Sequence, residues 1–199
     1  MTTGMGDLKA WKGRLADIII ERSFRYREDP PFRLASGRLS NYYFNCKPTT
    51  LDPEGMTLIG RILFAMTRDM DITAAGGLTL GADPLAFALS MVSFEMGRPI
   101  KAFVVRREVK DHGTARAVEG NVAAGERVVV LDDVITTGGS TITAIERAGE
   151  AGLVVAGVIA LIDREEGGRE NIEKVAGPVR SILTRTEIMA RLKGEKNLA

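Results

Sequence analysis

The sequence has one cysteine, one histidine and one tryptophan in 199 residues, and neither sign of charge prevails. A single cysteine, Cys46, excludes an internal disulfide framework and fits a reducing cytoplasm. The 27 Lys+Arg against 26 Asp+Glu leave a formal net charge of +1. That balance argues against a broad basic face for nucleic acid and against disorder driven by self-repulsion. The longest apolar run, 153–162, is too short to cross a bilayer, so no membrane partner is expected. Residues 1–7 lack the basic-then-apolar pattern of a signal peptide. No internal repeat or low-complexity tract occurs. What the chain does have is 45% hydrophobic residues, enough for a full core without a disulfide or metal staple. The expectation is a soluble cytoplasmic protein of one domain, 1–199.

Leu8, Trp11, Leu15, Ile18 and Ile19 share one face at helical spacing, with Lys9, Lys12, Arg14 and Asp17 off that stripe. Asp29-Pro30-Pro31 breaks the pattern. Short strands are expected at 32–37 and 42–44, and Met56, Ile59, Leu63, Met66 and Met70 predict a helix over 54–70. From about residue 73 the texture changes. Apolar runs at 74–79, 100–106, 127–132, 153–163 and 179–184 alternate with helical segments at 83–97 and 139–151. The first of these helices has Asp83 as its expected N-cap, Pro84 at the first helical position and Gly97 just past its end. It is apolar nearly all round, which predicts burial between layers. The run Val128-Val129-Val130-Leu131 does not alternate polar with apolar, as in a parallel strand covered on both faces. The fold class that follows is α/β, a doubly wound and mostly parallel sheet with right-handed crossovers. A small N-terminal subdomain of about 1–70 precedes a core of about 71–185.

The most informative stretch joins that buried strand to chemistry. Asp132 and Asp133 end the run, Val134-Ile135-Thr136-Thr137-Gly138-Gly139-Ser140-Thr141 follows, and then a helix begins. In open α/β sheets, ligands sit outside the carboxyl ends of strands. The two acids can accept hydrogen bonds from vicinal sugar hydroxyls. The backbone N–H groups of 136–140 at a helix start can cradle a phosphate. The bland reading, a capped strand end, is outweighed by two adjacent acids before a hydroxyl-rich glycine turn. No Lys follows the glycines and no GxGxxG occurs, so neither a mononucleotide P-loop nor a dinucleotide fingerprint is present.

Two further segments point the same way. Between 106 and 116, Arg106, Arg107, Lys110 and Arg116 stand against Glu108 and Asp111, with the only histidine, His112, among them. Little there can bury, so 107–120 is expected to be a mobile loop. Taken alone it is a solvated charged turn. Beside a sugar-phosphate loop, a mobile cationic segment can cover a bound anion and exclude water. Arg164 ends the apolar run 154–162. It could merely pair with Glu165 or Glu166, but a guanidinium also grips a carboxylate-bearing heterocycle through two parallel hydrogen bonds.

Taken together, these segments resemble the type I phosphoribosyltransferases, and 132–140 is closest to the orotate phosphoribosyltransferase form of their signature. Phe32-Arg33-Leu34-Ala35-Ser36-Gly37-Arg38-Leu39-Ser40 with Tyr42-Tyr43-Phe44-Asn45 looks like that family's N-terminal hood. The 105–113 segment looks like its catalytic loop, and Asp163-Arg164-Glu165-Glu166 like the strand-end arginine that holds the base. The resemblance implies Mg2+-dependent transfer of ribose 5-phosphate from phosphoribosyl pyrophosphate to orotate, in pyrimidine biosynthesis. It implies a homodimer in which loop 107–120 reaches the neighbouring site. It also implies roles: Arg106, Arg107, Lys110 and His112 on pyrophosphate, with Lys110, Asp132 and Asp133 catalytic. Residues Val134, Ile135, Thr136, Thr137, Gly138, Gly139 and Ser140 would hold the phosphoribosyl group. Thr136 and Arg164 would bind orotate, and the backbone around Tyr43 and Phe44 would line the base pocket. No direct protein ligand to the metal is implied; Mg2+ is expected through substrate oxygens and water.

The sequence departs from the pattern at three places. Ala35 and Gly81 stand where some members carry lysine, and Asn41 where proline is common. No pyrophosphate role is carried to Ala35 or Gly81, and Lys47 is the candidate replacement charge in the hood. Two alternatives compete. A purine or uracil phosphoribosyltransferase would share 132–140 but not the hood and Arg164. A phosphoribosyl pyrophosphate-sensing regulator of transcription would need a basic surface or a nucleic-acid-binding module, for which the charge balance and length leave no room.

Overall fold

The stripe read from Leu8 to Ile19 folds as α1 (Met5–Arg22), with Leu15, Ile18 and Ile19 fully buried. In this computed structural model the described residues are 5–27, 29–33, 39–108 and 117–196. After α1 come four short strands, β1 (Phe24–Tyr26), β2 (Phe32–Arg33), β3 (Leu39–Ser40) and β4 (Tyr42–Phe44). β1 pairs antiparallel with β4, and β2 with β3. The strand predicted at 42–44 is β4; of the one predicted at 32–37, Phe32–Arg33 form β2 and 34–37 lie outside the described residues, while β1 and β3 were not anticipated. A short helix α2 (Lys47–Thr50) leads to α3 (Pro53–Met66). α3 starts at a cap written in the sequence. The Asp52 carboxylate accepts the Glu54 and Gly55 N–H groups at 3.0 and 3.2 Å, and Pro53 needs no donor there. The helix ends at Met66, so Met70 lies beyond it.

The core follows, strands and helices alternating except for the consecutive β6, β7 and β8: β5 (Ala74–Leu78), α4 (Asp83–Glu95), β6 (Lys101–Val105), β7 (Val118–Gly120), β8 (Arg127–Ile135), α5 (Gly139–Glu150), β9 (Val154–Asp163), α6 (Gly168–Ala176), β10 (Val179–Thr184) and α7 (Arg185–Lys196). The six strands order as β10-β9-β8-β5-β6-β7, parallel throughout except β7, which runs antiparallel to β6. Side chains along β8 alternate between two cores. Val129 and Leu131 join a cluster with α1, α3 and α4, and Val128 and Val130 join one with α5 and α6. Burial on both faces is why the run lacks polar alternation.

Four expectations need correction. β8 does not stop at 132 but continues to Ile135, because β9 is as long and pairs with it to Asp163. Residues 118–120, expected within a mobile loop, form β7 on the free edge of β6. Asp83 is not the N-cap of α4 but its first residue, after Ala82. Finally, α4 is not buried all round: Phe87, Met91 and Phe94 are 46%, 64% and 75% exposed. The helix packs on α3 and the sheet with one side only, so apolar composition on its outer face reports something other than this chain's own core.

Candidate active site

The order of the strands opens a crevice. Chain order reverses between β5 and β8, the switch point at which open α/β sheets bind ligands. β5 pairs with β8 only as far as Gly76 opposite Val130, whereas β9 follows β8 to its end. Residues 131–135 therefore have one edge unclaimed by the sheet, and the two acids lie on that stretch. The turn after β5 closes on them. A Cβ added to Gly81 would lie 2.5 Å from Asp133 Oδ1, so a residue with a side chain there would have to displace the carboxylate. The Thr79–Leu80 peptide in this turn is cis. Thr79 anchors the turn, its N–H donating to the Val105 carbonyl (2.8 Å) and its hydroxyl to Asp83 Oδ2 (2.6 Å).

Asp132 accepts a 2.5 Å hydrogen bond from the Thr141 hydroxyl. Burial pushes its pKa up to about 7; the Thr141 bond works against that shift, and the adjacent Asp133 charge adds to it. The lone Cys46 is buried nearby, its thiol pushed well up, chiefly by burial and then by the Asp133 charge, which keeps it protonated and inert.

Beyond Ile135 the chain turns through Thr136 and Thr137 into α5. Gly138 caps that helix at φ +87°, a left-handed conformation open to glycine, with no side chain filling the cap. The first N–H groups of a helix have no intrahelical acceptor, and the helix start carries partial positive charge. Asp132 and residues 134–141 line a cleft of about 230 Å³ there. The cleft offers donors for an anion and the Asp132 carboxylate for hydroxyls, within one continuous segment, while Asp133 faces the turn at Gly81.

The neighbouring strand supplies the opposite charge. Ile135 pairs with Asp163, and the Arg164 N–H donates to the Ile135 carbonyl at 3.0 Å, so Arg164 emerges alongside Thr136. Its side chain is 3% exposed. Nη2 donates to Glu166 Oε1 at 2.7 Å and to Ser40 Oγ at 3.1 Å. The guanidinium carbon stands 5.9 Å from the centre of the Phe44 ring, within cation–π range. The bland partner, Glu166, is thus present, together with contacts from the hood. Phe44 is buried, and the Tyr43 ring instead stacks on Phe32 at 5.5 Å.

The cationic segment is described only at its root. The Arg106 guanidinium pairs with Glu119 at 3.0 Å, and its carbonyl accepts from Arg147 of α5. Arg107 Nε reaches to 3.5 Å from the Thr79 carbonyl, over the turn after β5. Lys110 and His112 lie outside the described residues, as does Ala35. The structure thus gathers Asp132–Ser140, Arg164 and Phe44 at one edge and brings Arg107 to its rim, while Arg106 is committed to Glu119. The sequence reading missed Ser40, and took Asp83, which anchors Thr79, only as a helix cap. Ser40 bonds Arg164 across 124 positions, and no local pattern marks such a contact.

No family model matches the chain. Individual relatives do. It is 49% identical over 176 residues to orotate phosphoribosyltransferase of Aquifex aeolicus, covering 88% of this chain and 96% of that one. It is 44% identical over 186 residues to orotate phosphoribosyltransferase of Rhodopseudomonas palustris strain BisB5, covering 92% and 98%. Among solved structures, orotate phosphoribosyltransferase of Mycobacterium tuberculosis H37Rv in complex with Fe(III) dicitrate superposes with a TM-score of 0.78. That match has 38% identity and covers 89% of this chain and 98% of that one. The same enzyme in complex with 5-phospho-alpha-D-ribosyl 1-diphosphate gives 0.73 at 34% identity, over 90% and 92% of the two chains. With such identity along nearly the whole of both chains, this protein belongs to the orotate phosphoribosyltransferase family.

Proposed function

We propose that the chain transfers ribose 5-phosphate from phosphoribosyl pyrophosphate to N1 of orotate, giving orotidine 5′-monophosphate and pyrophosphate. The observation that carries this reading is the buried Arg164 standing beside an acid pair and a helix-start anion cradle. A carboxylate-bearing base and a phosphorylated sugar thereby find complementary partners on adjacent strands. Thr136 and Arg164 take orotate, with Phe44 and the backbone at Tyr43 on the hood side. Residues 134–140 hold the 5′-phosphate. Asp132 and Asp133 orient the ribose hydroxyls and stabilise the positive charge that grows on the ring as its bond to pyrophosphate breaks. Arg106, Arg107, Lys110 and His112 neutralise the departing pyrophosphate, Arg106 after leaving Glu119. Orotate is already an anion, so no strong general base is required.

Among the described residues no three His, Cys, Asp or Glu side chains converge as a metal site. The donors at this edge, two carboxylates with hydroxyls around them, suit Mg2+, which would be held near Asp132 and Asp133 mainly through substrate oxygens and water. When bound, Mg2+ supplies a template and charge neutralisation for pyrophosphate and ribose oxygens. The cytoplasm is the compartment this reading implies, and among the described residues no helix is long and apolar enough to cross a membrane. A second copy of this chain is the partner, and Phe87, Met91 and Phe94 on α4 offer it an apolar stripe. Replacing Met91 and Phe94 by Asp is expected to turn a dimer into a monomer in analytical ultracentrifugation.

The direct test is the ultraviolet absorbance of orotate. It falls on adding phosphoribosyl pyrophosphate and Mg2+ to the protein, and it stays constant if the reading is wrong. Hypoxanthine, adenine and uracil, offered in its place, separate the alternative acceptors.

A further inference from the structure

The turn that carries Arg164 is held from both sides by groups of α6, β10 and α7. Asp163, the last residue of β9, is 2% exposed. Its Oδ1 accepts the Glu165 N–H at 2.8 Å, and its Oδ2 accepts Arg169 Nε at 3.0 Å. Arg169 also donates from Nη1 to the Val179 carbonyl (2.7 Å) and from Nη2 to Ser181 Oγ (3.2 Å). Asp163 is thereby tied to β10 by a side chain of α6. On the other side, Glu165 adopts φ +55°, an uncommon conformation for a residue with a Cβ, which persists where the surroundings over-determine it. Its Oε2 accepts the Thr186 N–H at 2.9 Å and the Thr186 hydroxyl at 2.6 Å, in the first turn of α7.

A strand end does not need this much. A buried carboxylate used on both oxygens and a left-handed glutamate fastened to a second helix flank a single residue, Arg164. A two-bond grip on a planar carboxylate tolerates little displacement, since a shift of about 1 Å at such a group costs about 100-fold. We infer that Asp163 and Glu165 are positioning residues that fix the base-gripping guanidinium in one orientation. This deepens the functional reading above and rests on it.

The experiment is steady-state kinetics of the full-length protein with each substrate varied. Asp163→Asn cannot accept from both donors. It raises the KM for orotate about 10- to 100-fold, leaves the KM for phosphoribosyl pyrophosphate within about twofold, and largely keeps kcat. Glu165→Gly tolerates the backbone angle but loses the Thr186 tether. It raises the orotate KM several-fold, and Glu165→Gln, which keeps an acceptor for Thr186, restores it. If Asp163→Asn does not fold, the Glu165 pair decides. A folded Asp163→Asn with an unchanged orotate KM, or variants in which both KM values rise together, overturns the inference. Wild-type protein that consumes no orotate overturns the functional reading as well, and does so without any variant.

Discussion

At its carboxyl end β8 presents two adjacent carboxylates, half-buried, followed by backbone amides at a helix start. At the same level β9 presents one guanidinium, enclosed by Glu166, Ser40 and the Phe44 ring. The first tip draws its binding from consecutive residues and from the main chain. The second draws it from side chains gathered across the whole sequence. A cradle of the first kind tolerates change at many positions, because the backbone does much of the work. A clasp of the second kind depends on one group and on whatever holds it still.

The largest effect that would sharpen this contrast is expected at the clasp. Arg164→Ala removes charge-assisted hydrogen bonds worth about 3 kcal/mol. It raises the orotate KM roughly 100-fold while leaving phosphoribosyl pyrophosphate binding nearly unchanged. Equal loss of both would erase the division of labour between the strands. At the cradle, Gly138→Ala forces a left-handed alanine, costing about 1–2 kcal/mol, and places a Cβ 3.0 Å from the Gly168 carbonyl. Its expected outcome is the mirror image, a roughly tenfold rise in the KM for phosphoribosyl pyrophosphate and little change for orotate.

Protonation gives a smaller and more graded test. Asp132 has a folded pKa of about 7, above the ordinary carboxylate range. Its carboxylate form is thus lost as pH falls through 7, and an acid limb is expected there in kcat/KM for phosphoribosyl pyrophosphate. The cause of the shift predicts how the limb moves. Asp133→Asn removes a like charge and lowers it; Thr141→Val removes the bond that favours the ion and raises it. The linkage to stability has the opposite sense. Because the folded state holds this proton more tightly than the unfolded chain, ionising Asp132 costs stability, and the cost is complete only above about pH 7. The smallest effect is expected at Ser40→Ala. Loss of one bond to a guanidinium that keeps Glu166 costs about 0.5–1 kcal/mol, a two- to fivefold rise in the orotate KM.

The contrast between the tips also explains what could be read from residue order. The parallel sheet was legible because 128–131 and 153–162 are apolar without alternation, a pattern set by burial on both faces. The cradle was legible because acids, hydroxyls and glycines follow one another without a gap. The length of β8 was not, since carboxylates read as a strand's end until the partner strand is seen to continue. α4 misled for a related reason: an apolar outer face looks the same in a sequence whether a core or a second molecule covers it. Arg164 was legible as a candidate, but its bond to Ser40 depends on how the hood folds back over the core, and no local spacing encodes that.

Separate anchorage has a consequence for how acceptor preference can change. On the proposed function, the sugar-phosphate seat belongs to β8 and α5, whereas the heterocycle's anionic group answers to a four-residue bend pinned from behind by α6 and α7. Redrawing that bend while keeping its two rear fastenings would offer new nitrogenous partners to an untouched donor pocket. Libraries confined to positions 164 and 166 are therefore the economical place to look for altered choice.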